Sequence, residues 1–501
     1  MRTILVFDIG TTAVKAALFD ERLSLISSTI EEYTLITQGE SVIELAPETY
    51  WEALKKSLRR LLADHALAQS IYAVTVTTQG ETLIPVDANG NALRNAIIWL
   101  DGRAENQGAY ITKRVTSQEF YETTGLPECN GYCPVSKALW IKENEPDVYS
   151  RTHKLLLLED FILLKLTGRF VTEKTLLSST GYFDIVRDRY WKDMLDMIGI
   201  DAGMFPAPLE PGTPVSRILP EIADELGLNR EVMVITGAMD QMAAAVGAGN
   251  LMPGVVTEVT GTALIIAATT EKPDFTNPAR VTIYRHVLPG KYLVIPICMT
   301  AGMVLKWFKD AFCFEEFAQS EREHRPAYDI LSELAQKAPR LSNGLTLLPY
   351  FTGVLQPDNN PAARGVFFGV GLDTQKPHFI RAIFEGVAYM LRENLELLHD
   401  MGIVPEEIRS LGGGSKSTLW LQIKADVTRL VIARMQEAES TALGAAILAG
   451  FGSGMVANIE SAAQSANSIE HRYLADKEAA QAYDGGYRTY RELYSRLKSL
   501  F

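Results

Sequence analysis

Cysteine is scarce in these 501 residues. Cys129, Cys133, Cys298 and Cys313 are too few for a disulfide scaffold, and no Cys-x-x-Cys pair suggests a metal ribbon or a redox dithiol. A reducing, cytoplasmic setting fits this usage. Positive charge is short as well: 48 Lys and Arg stand against 61 Asp and Glu, a net charge of -13. A surface of that sign repels phosphate backbones and anionic headgroups, so neither nucleic acid nor a membrane is an expected partner. Long hydrophobic runs are missing too. None reaches the roughly 20 residues that cross a bilayer, and the apolar opening, Ile4 to Phe7, is too short for a secretory signal and is stopped by Asp8.

The common nucleotide and hydrolase signatures are also absent. Gly414-Ser415-Lys416-Ser417 approaches a P-loop, but Ser precedes the Lys where close backbone approach to phosphate needs Gly. No Gly-x-Gly-x-x-Gly follows a strand, and neither His-Glu-x-x-His nor Gly-x-Ser-x-Gly occurs. No Pro-rich linker or low-complexity tract divides the chain. At 47% apolar and with ordinary composition, the chain is globular, and its length exceeds what one hydrophobic core holds, so two domains are expected.

What is present is a repeated unit. Residues 3 to 7 read as a strand buried on both faces, Asp8-Ile9-Gly10-Thr11-Thr12 as a turn, and Val14 to Phe19 as a second strand of the same hairpin. An amphipathic helix follows from Glu48 to Leu67, with Trp51, Leu54, Leu58, Leu61 and Leu62 at helical spacing. The strand Ile71 to Thr77 then delivers Thr78-Gln79-Gly80-Glu81 at its carboxyl end, where open α/β sheets keep working residues. In the second half, Val232 to Ile235 is a strand ending near Asp240 and Gln241, and a small-residue helix runs to Gly247. Val255 to Val259 and Leu264 to Ala268 are then joined by Thr260-Gly261-Thr262, repeating the first hairpin. The repeat suggests an internal duplication with a boundary between Gly247 and Pro253.

A Gly-Thr turn can hold phosphate, because glycine lets backbone amides approach an anion and threonine hydroxyls add donors. Each turn alone reads equally as an ordinary hairpin. Having both, with Asp8 before one and Asp240 upstream of the other, favours a polyphosphate gripped in a cleft between two related domains. An acidic protein that binds a triphosphate must add a cation, and Asp8 is suited to hold Mg²⁺ through water. Asp240 reads either as a helix N-cap or as a working carboxylate.

The chain resembles the FGGY carbohydrate kinases of the actin, hexokinase and Hsp70 superfamily. The resemblance is carried by Gly365-Val366-Phe367-Phe368-Gly369-Val370 followed by His378-Phe379-Ile380-Arg381-Ala382-Ile383-Phe384-Glu385, which fits the family's C-terminal signature, and by Tyr132 to Lys137 with Trp140 to Asn144 for the other signature. Asp160, Leu166-Thr167-Gly168, Gly412-Gly413-Gly414 and Ala442 to Ala446 occur in the family's order, so nearly the whole chain is covered. The resemblance implies an α/β fold of two actin-like (ribonuclease H-like) domains around a cleft, residues 1–246 reading the sugar or polyol and 247–501 binding the nucleotide. It implies that Asp240 is the general base taking a proton from the acceptor hydroxyl as it attacks the γ-phosphate of ATP, and that Mg²⁺ is held by Asp8 and Asp240. Gly10, Thr11, Thr12, Lys15, Gly261 and Thr262 would meet phosphate, and Gly412, Gly413, Gly414 and Ser415 the nucleoside. For Ser415 a plain helix cap is the alternative, and for Lys15 a solvated strand lysine.

The acceptor itself would meet Gln79, Gly80, Glu81, Asp101, Tyr132, Asp240 and Gln241. Glycerol kinases carry Gln-Arg-Glu and xylulokinases Gln-Met-His where this chain has Gln79-Gly80-Glu81; Gly80 is expected to leave room for a substrate larger than glycerol. Trp99-Leu100-Asp101-Gly102-Arg103 leans toward the xylulokinases, hence toward a pentulose such as xylulose, with glycerol, a tetritol or a deoxyketose as alternatives. A homodimer is one assembly open to it. From another class, a nucleotide-driven switch without a small-molecule acceptor is the competing reading. Trp307 is expected in the core, and the charged residues from Glu315 to Arg325 on a solvated helix face.

Overall fold

The computed structural model describes residues 2–39, 41–62, 65–436 and 439–501. The chain divides into two units, the first made of residues 1–251, 282–293 and 439–467, the second of 252–281, 294–438 and 468–501.

In the first unit, β1 (Thr3–Ile9) is buried at nearly every position because helices cover both sides of its sheet. It pairs antiparallel with β2 (Ala13–Phe19), which continues to β3 (Leu25–Glu32), and parallel with β4 (Ile71–Thr78). Beyond β4 the order runs to β5 (Pro214–Arg217) at the edge through β6 (Met233–Ile235), giving β5-β6-β4-β1-β2-β3. The helix α1 (Pro47–Leu61) begins with Pro at its first position, where its fixed φ suits helix entry, and the charges of Glu48 in its first turn and of Arg59 and Arg60 in its last favour the helix dipole. Its face of Trp51, Leu54, Leu58 and Leu61 enters the same core as Leu5, Phe7, Leu18 and Val74. Each such buried side chain contributes about 1.5–3 kcal/mol relative to exposure. The helix is shorter than its apolar pattern suggests, and residues 63 and 64, inside the expected span, lie outside the described residues. Two further helices matter to the site: α2 (Leu158–Thr167) and α3 (Asp240–Gly247).

The second unit repeats the plan. Its β7 (Val255–Thr260) pairs antiparallel with β8 (Leu264–Thr270) and parallel with β9 (Glu407–Leu411). Across the helix α4 (Thr418–Thr428), the sheet continues in parallel to β10 (Val431–Met435) and ends antiparallel at β11 (Ile469–Tyr473). Thus β8-β7-β9-β10-β11 matches β2-β1-β4-β6-β5 strand for strand and sense for sense, which bears out the duplication read from the two hairpins. Trp307, on the helix Gly302–Phe312, corrects its expected place in the core: it is 41% exposed and makes edge contacts to Phe312 and Phe351 instead. The helix Phe314–Glu323 has the expected solvated face, with Glu316 its one buried residue.

The last crossing returns to the first unit as α5 (Ser440–Gly452), whose residues 442–450 are buried throughout, as a helix this apolar must be. It packs on β1, β4 and α3. Among the described residues, no helix is long and apolar enough to cross a membrane.

Candidate active site

The first hairpin brings Asp8 directly opposite Lys15 in register. Lys15 is not a solvated strand lysine: its ammonium donates to Glu439, one residue before α5. Burial raises the Asp8 carboxyl to about 6, with Lys15 lowering it and Glu439 raising it. In the turn itself the Gly10 amide donates to Ala13 O at 3.0 Å and Tyr33 closes over it by donating to Gly10 O. Thr11 is committed, accepting from Trp99 Nε1 at 3.0 Å and donating to Gln79 Oε1 at 2.8 Å. Thr12 is exposed.

At the end of β4, Gln79 is buried and its amide is engaged by Thr11 and, at 3.3 Å, by Thr82. Glu81 sits at φ +60°, a left-handed conformation that costs a non-glycine residue about 1–3 kcal/mol and is usually retained where function requires it. Lys137, fully buried, donates to Glu81 O at 3.1 Å and to Ile98 O at 2.8 Å and so anchors this loop. Burial raises the Glu81 carboxyl to about 7 against the pull of Lys137, and lowers the Lys137 ammonium to about 8.

Asp240 is the first residue of α3, and the N-cap position before it belongs to Met239, so the alternative reading of Asp240 as a cap is corrected. Its Oδ1 accepts from the Gln241 amide at 2.6 Å. Burial raises Asp240 to about 7, reinforced by the charges of Asp8 and Glu81. A carboxylate poised there is matched to accepting a proton near neutral pH. Gln241 Oε1 is buried and has no hydrogen-bond partner among the described residues.

The remaining acceptor residues behave differently. Asp101 is completely buried and taken up by the Arg103 guanidinium, at 2.6 and 2.9 Å, and by the Ile43 amide. Tyr132 is half exposed, its ring against Gly102. The expected room beside Gly80 is not there: a Cβ would point at Met239 Sδ and Ser179 Oγ, each 3.0 Å away, so these two side chains fill the space. Tyr284 enters the site without a sequence motif to mark it. It is buried within electrostatic reach of Glu81, Cys133 and Asp240, and burial pushes its phenol well up.

In the second unit, Gly261, Thr262, Gly413 and Gly414 come together around a cavity of about 730 Å³ that Met303, Pro326, Tyr328 and Trp420 also line. Gly412 and Ser415 do not line it. Glycine is required at 414, where a Cβ would lie 2.6 Å from Thr260 Cβ, and at 302, where it would lie 2.3 Å from Gly261 O. The Gly302 amide donates to Gly261 O at 2.8 Å, fixing the turn. The cap of α4 is Ser417, which accepts from the Trp420 amide, and not Ser415, whose hydroxyl turns back to Gly412 O. Behind the cavity is a fully buried ion pair, Lys424 to Glu258 at 2.6 Å, with Lys424 also donating to Thr260 Oγ1 at 2.7 Å. Ser410 completes the ring by donating to Glu258.

Among the described residues no group of three or more His, Cys, Asp or Glu could by itself hold a metal ion. The first unit therefore gathers carboxyls of raised proton affinity around Asp240, and the second holds a glycine-walled cavity of about 730 Å³.

This chain belongs to the FGGY family of carbohydrate kinases: the model of the family's N-terminal domain matches residues 3–247 and that of its C-terminal domain residues 257–453. It is 28% identical to the xylulose kinase of Bacillus subtilis (strain 168), over 100% of this chain and 98% of that one. To the gluconokinase of the same organism it is 29% identical, over 95% and 92%. The solved structure of a xylulose kinase from Rhodospirillum rubrum superposes with a TM-score of 0.90 at 25% identity, over 100% of this chain and 99% of that one. The protein is accordingly a phosphotransferase acting on a sugar or polyol, with the ATP co-substrate its family implies, and the reading as a switch without an acceptor is set aside.

Proposed function

We propose that the acceptor is a neutral ketose, a pentulose such as xylulose, whose hydroxyl is deprotonated by Asp240 as it attacks the γ-phosphate of ATP. The observation that carries this reading is the charge of the acceptor region. Asp8, Glu81 and Asp240 are carboxyls, and the two nearest lysines are committed, Lys15 to Glu439 and Lys137 to the carbonyls of Glu81 and Ile98. A sugar acid would add a fourth negative group, and neither of these two lysines is free to receive it, which disfavours gluconate despite the gluconokinase relatives. Glu81 and the unpartnered Gln241 Oε1 are acceptors suited to sugar hydroxyls. Likeness to the xylulose kinases points the same way.

In this reading the first unit binds the acceptor and meets phosphate through Gly10 and Thr12, while Gly261, Thr262, Gly413 and Gly414 of the second hold the nucleotide. Asp8 and Asp240 are partly buried carboxyls, and the charge of Asp8 raises the proton affinity of Asp240, a donor set fit for a hard divalent cation. Mg²⁺ held there would screen the phosphate charge during transfer. Water must be kept out, since a base that activates a hydroxyl would also activate water.

The test is ADP release, coupled to a reporter, against ketopentoses, deoxyketoses, tetritols, glycerol and gluconate. The highest kcat/KM is expected for a ketopentose; a higher value for gluconate would overturn the assignment. Asp240→Asn is expected to abolish transfer and leave ATP binding intact, and retained turnover would mean that the base lies elsewhere.

A further inference from the structure

The backbone that leads into Asp240 is fastened at each of the four residues before it, once through its own side chain and three times by a side chain from elsewhere in the first unit. Thr236 donates from its hydroxyl to Glu210 O at 2.9 Å. The Gly237 amide donates to Glu159 Oε1 of α2 at 2.9 Å. Ala238 O accepts from the Thr77 hydroxyl of β4 at 2.7 Å. The Met239 amide donates to Thr175 Oγ1 at 3.0 Å. The four side chains that make these ties, Thr236, Glu159, Thr77 and Thr175, are buried with essentially no exposure.

The last of these ties differs from the others. The Met239 amide is one of the free donors at the start of α3, where Met239, the N-cap residue, supplies no side-chain cap of its own. Its acceptor is a hydroxyl whose own proton is already assigned, because Thr175 donates to Glu173 Oε1 at 2.7 Å. Glu173 is itself held by the amides of Thr175 and Leu176. The Thr175 lone pair therefore points one way, and the peptide next to Asp240 has one orientation.

We propose that Thr175, oriented by Glu173, is a positioning residue for phosphoryl transfer: by fixing the Met239 amide it aims the Asp240 carboxylate at the acceptor hydroxyl. This rests on the reading of Asp240 as the base. Transfer depends on placing that carboxylate within a fraction of an ångström, so loosening its support slows the chemical step while leaving a nucleotide bound by the other unit undisturbed.

Thr175→Val keeps the shape and removes the hydroxyl, and Thr175→Ser keeps the hydroxyl. Thr175→Val is expected to lower kcat by about 10- to 100-fold with KM for ATP changed less than about 2-fold, and Thr175→Ser to return kcat to within about 3-fold of the parent. Wild-type kcat in Thr175→Val, an equal loss in Thr175→Ser, or a loss of ATP affinity in proportion would each overturn the proposal. If Thr175→Val does not accumulate as folded protein, Thr175→Ala is read by the same criteria. Asp240→Asn is measured beside them: an inactive Asp240→Asn with a fully active Thr175→Val refutes the positioning role alone, whereas an active Asp240→Asn refutes the base.

Discussion

Gly247 of α3 and Gly444 of α5 meet where the two helices cross: a Cβ on Gly247 would lie 1.8 Å from Ser440 O, and one on Gly444 1.8 Å from Ala243 O. No side chain fits either place without separating the helices. Gly444→Ala is expected to destabilise the first unit by at least about 1–3 kcal/mol, the usual cost of overpacking, and to lower the melting temperature accordingly. Because α3 begins at Asp240 and α5 follows Glu439, activity is expected to fall in the protein that remains folded. An unchanged melting temperature would refute this account of the crossing.

The buried pair Glu258 and Lys424 predicts a non-additive mutant cycle. Lys424→Met leaves Glu258 charged and desolvated and is expected to destabilise by about 3–5 kcal/mol. The double variant Glu258→Gln with Lys424→Met removes both charges and should recover much of that loss. Denaturant unfolding of the three variants measures it, and additive effects would mean that the two charges do not depend on each other.

Replacing Glu81 by Ala is expected to raise KM for the acceptor by about 10-fold or more while KM for ATP stays within about 2-fold, because the partly buried carboxylate proposed to hydrogen-bond the sugar is lost. An effect confined to ATP would place this loop in the wrong site.

Asp160, buried near the start of α2, accepts from the Leu157 amide at 2.8 Å. Burial raises its carboxyl from 3.8 to about 7, partly offset by that amide and the Thr172 hydroxyl. Its folded-state value lies above the unfolded one, so its proton supports the fold fully below about pH 4 and the contribution is lost as pH rises through 7. Asp160→Asn has no such proton to lose. Between about pH 5 and pH 8 the parent is expected to lose up to about 3 kcal/mol relative to Asp160→Asn. Parallel stability curves for the two proteins would contradict the shift.

Local patterning was enough to read both hairpins, the helix after Glu48 and the strands that end near Glu81 and Asp240, because burial periodicity and turn chemistry act over a few residues. The duplication followed from those elements, and the sheet order bears it out. Partnerships across the chain were beyond such patterns. Lys15 finds Glu439 and Glu258 finds Lys424 only through folding, and nothing local distinguishes Lys15 from a solvated lysine. The missing side chain of Gly80 suggests open space but says nothing about what moves in beside it, here Met239 and Ser179. Tyr284 carried no signal, being a single aromatic in a short strand. The place of Trp307 after Thr300-Ala301-Gly302-Met303 implies core packing by family likeness, while its helix turns that face outward.

Because residues 439–467 complete the first unit, a single cut after Leu251 cannot yield two self-sufficient fragments. An N-terminal piece expressed alone would keep α3 with the seat for α5 empty, a bare apolar groove apt to aggregate. Dissecting this enzyme calls for grafting the α5 stretch back onto the first piece through a short linker, or for a circularly permuted gene that encodes it there.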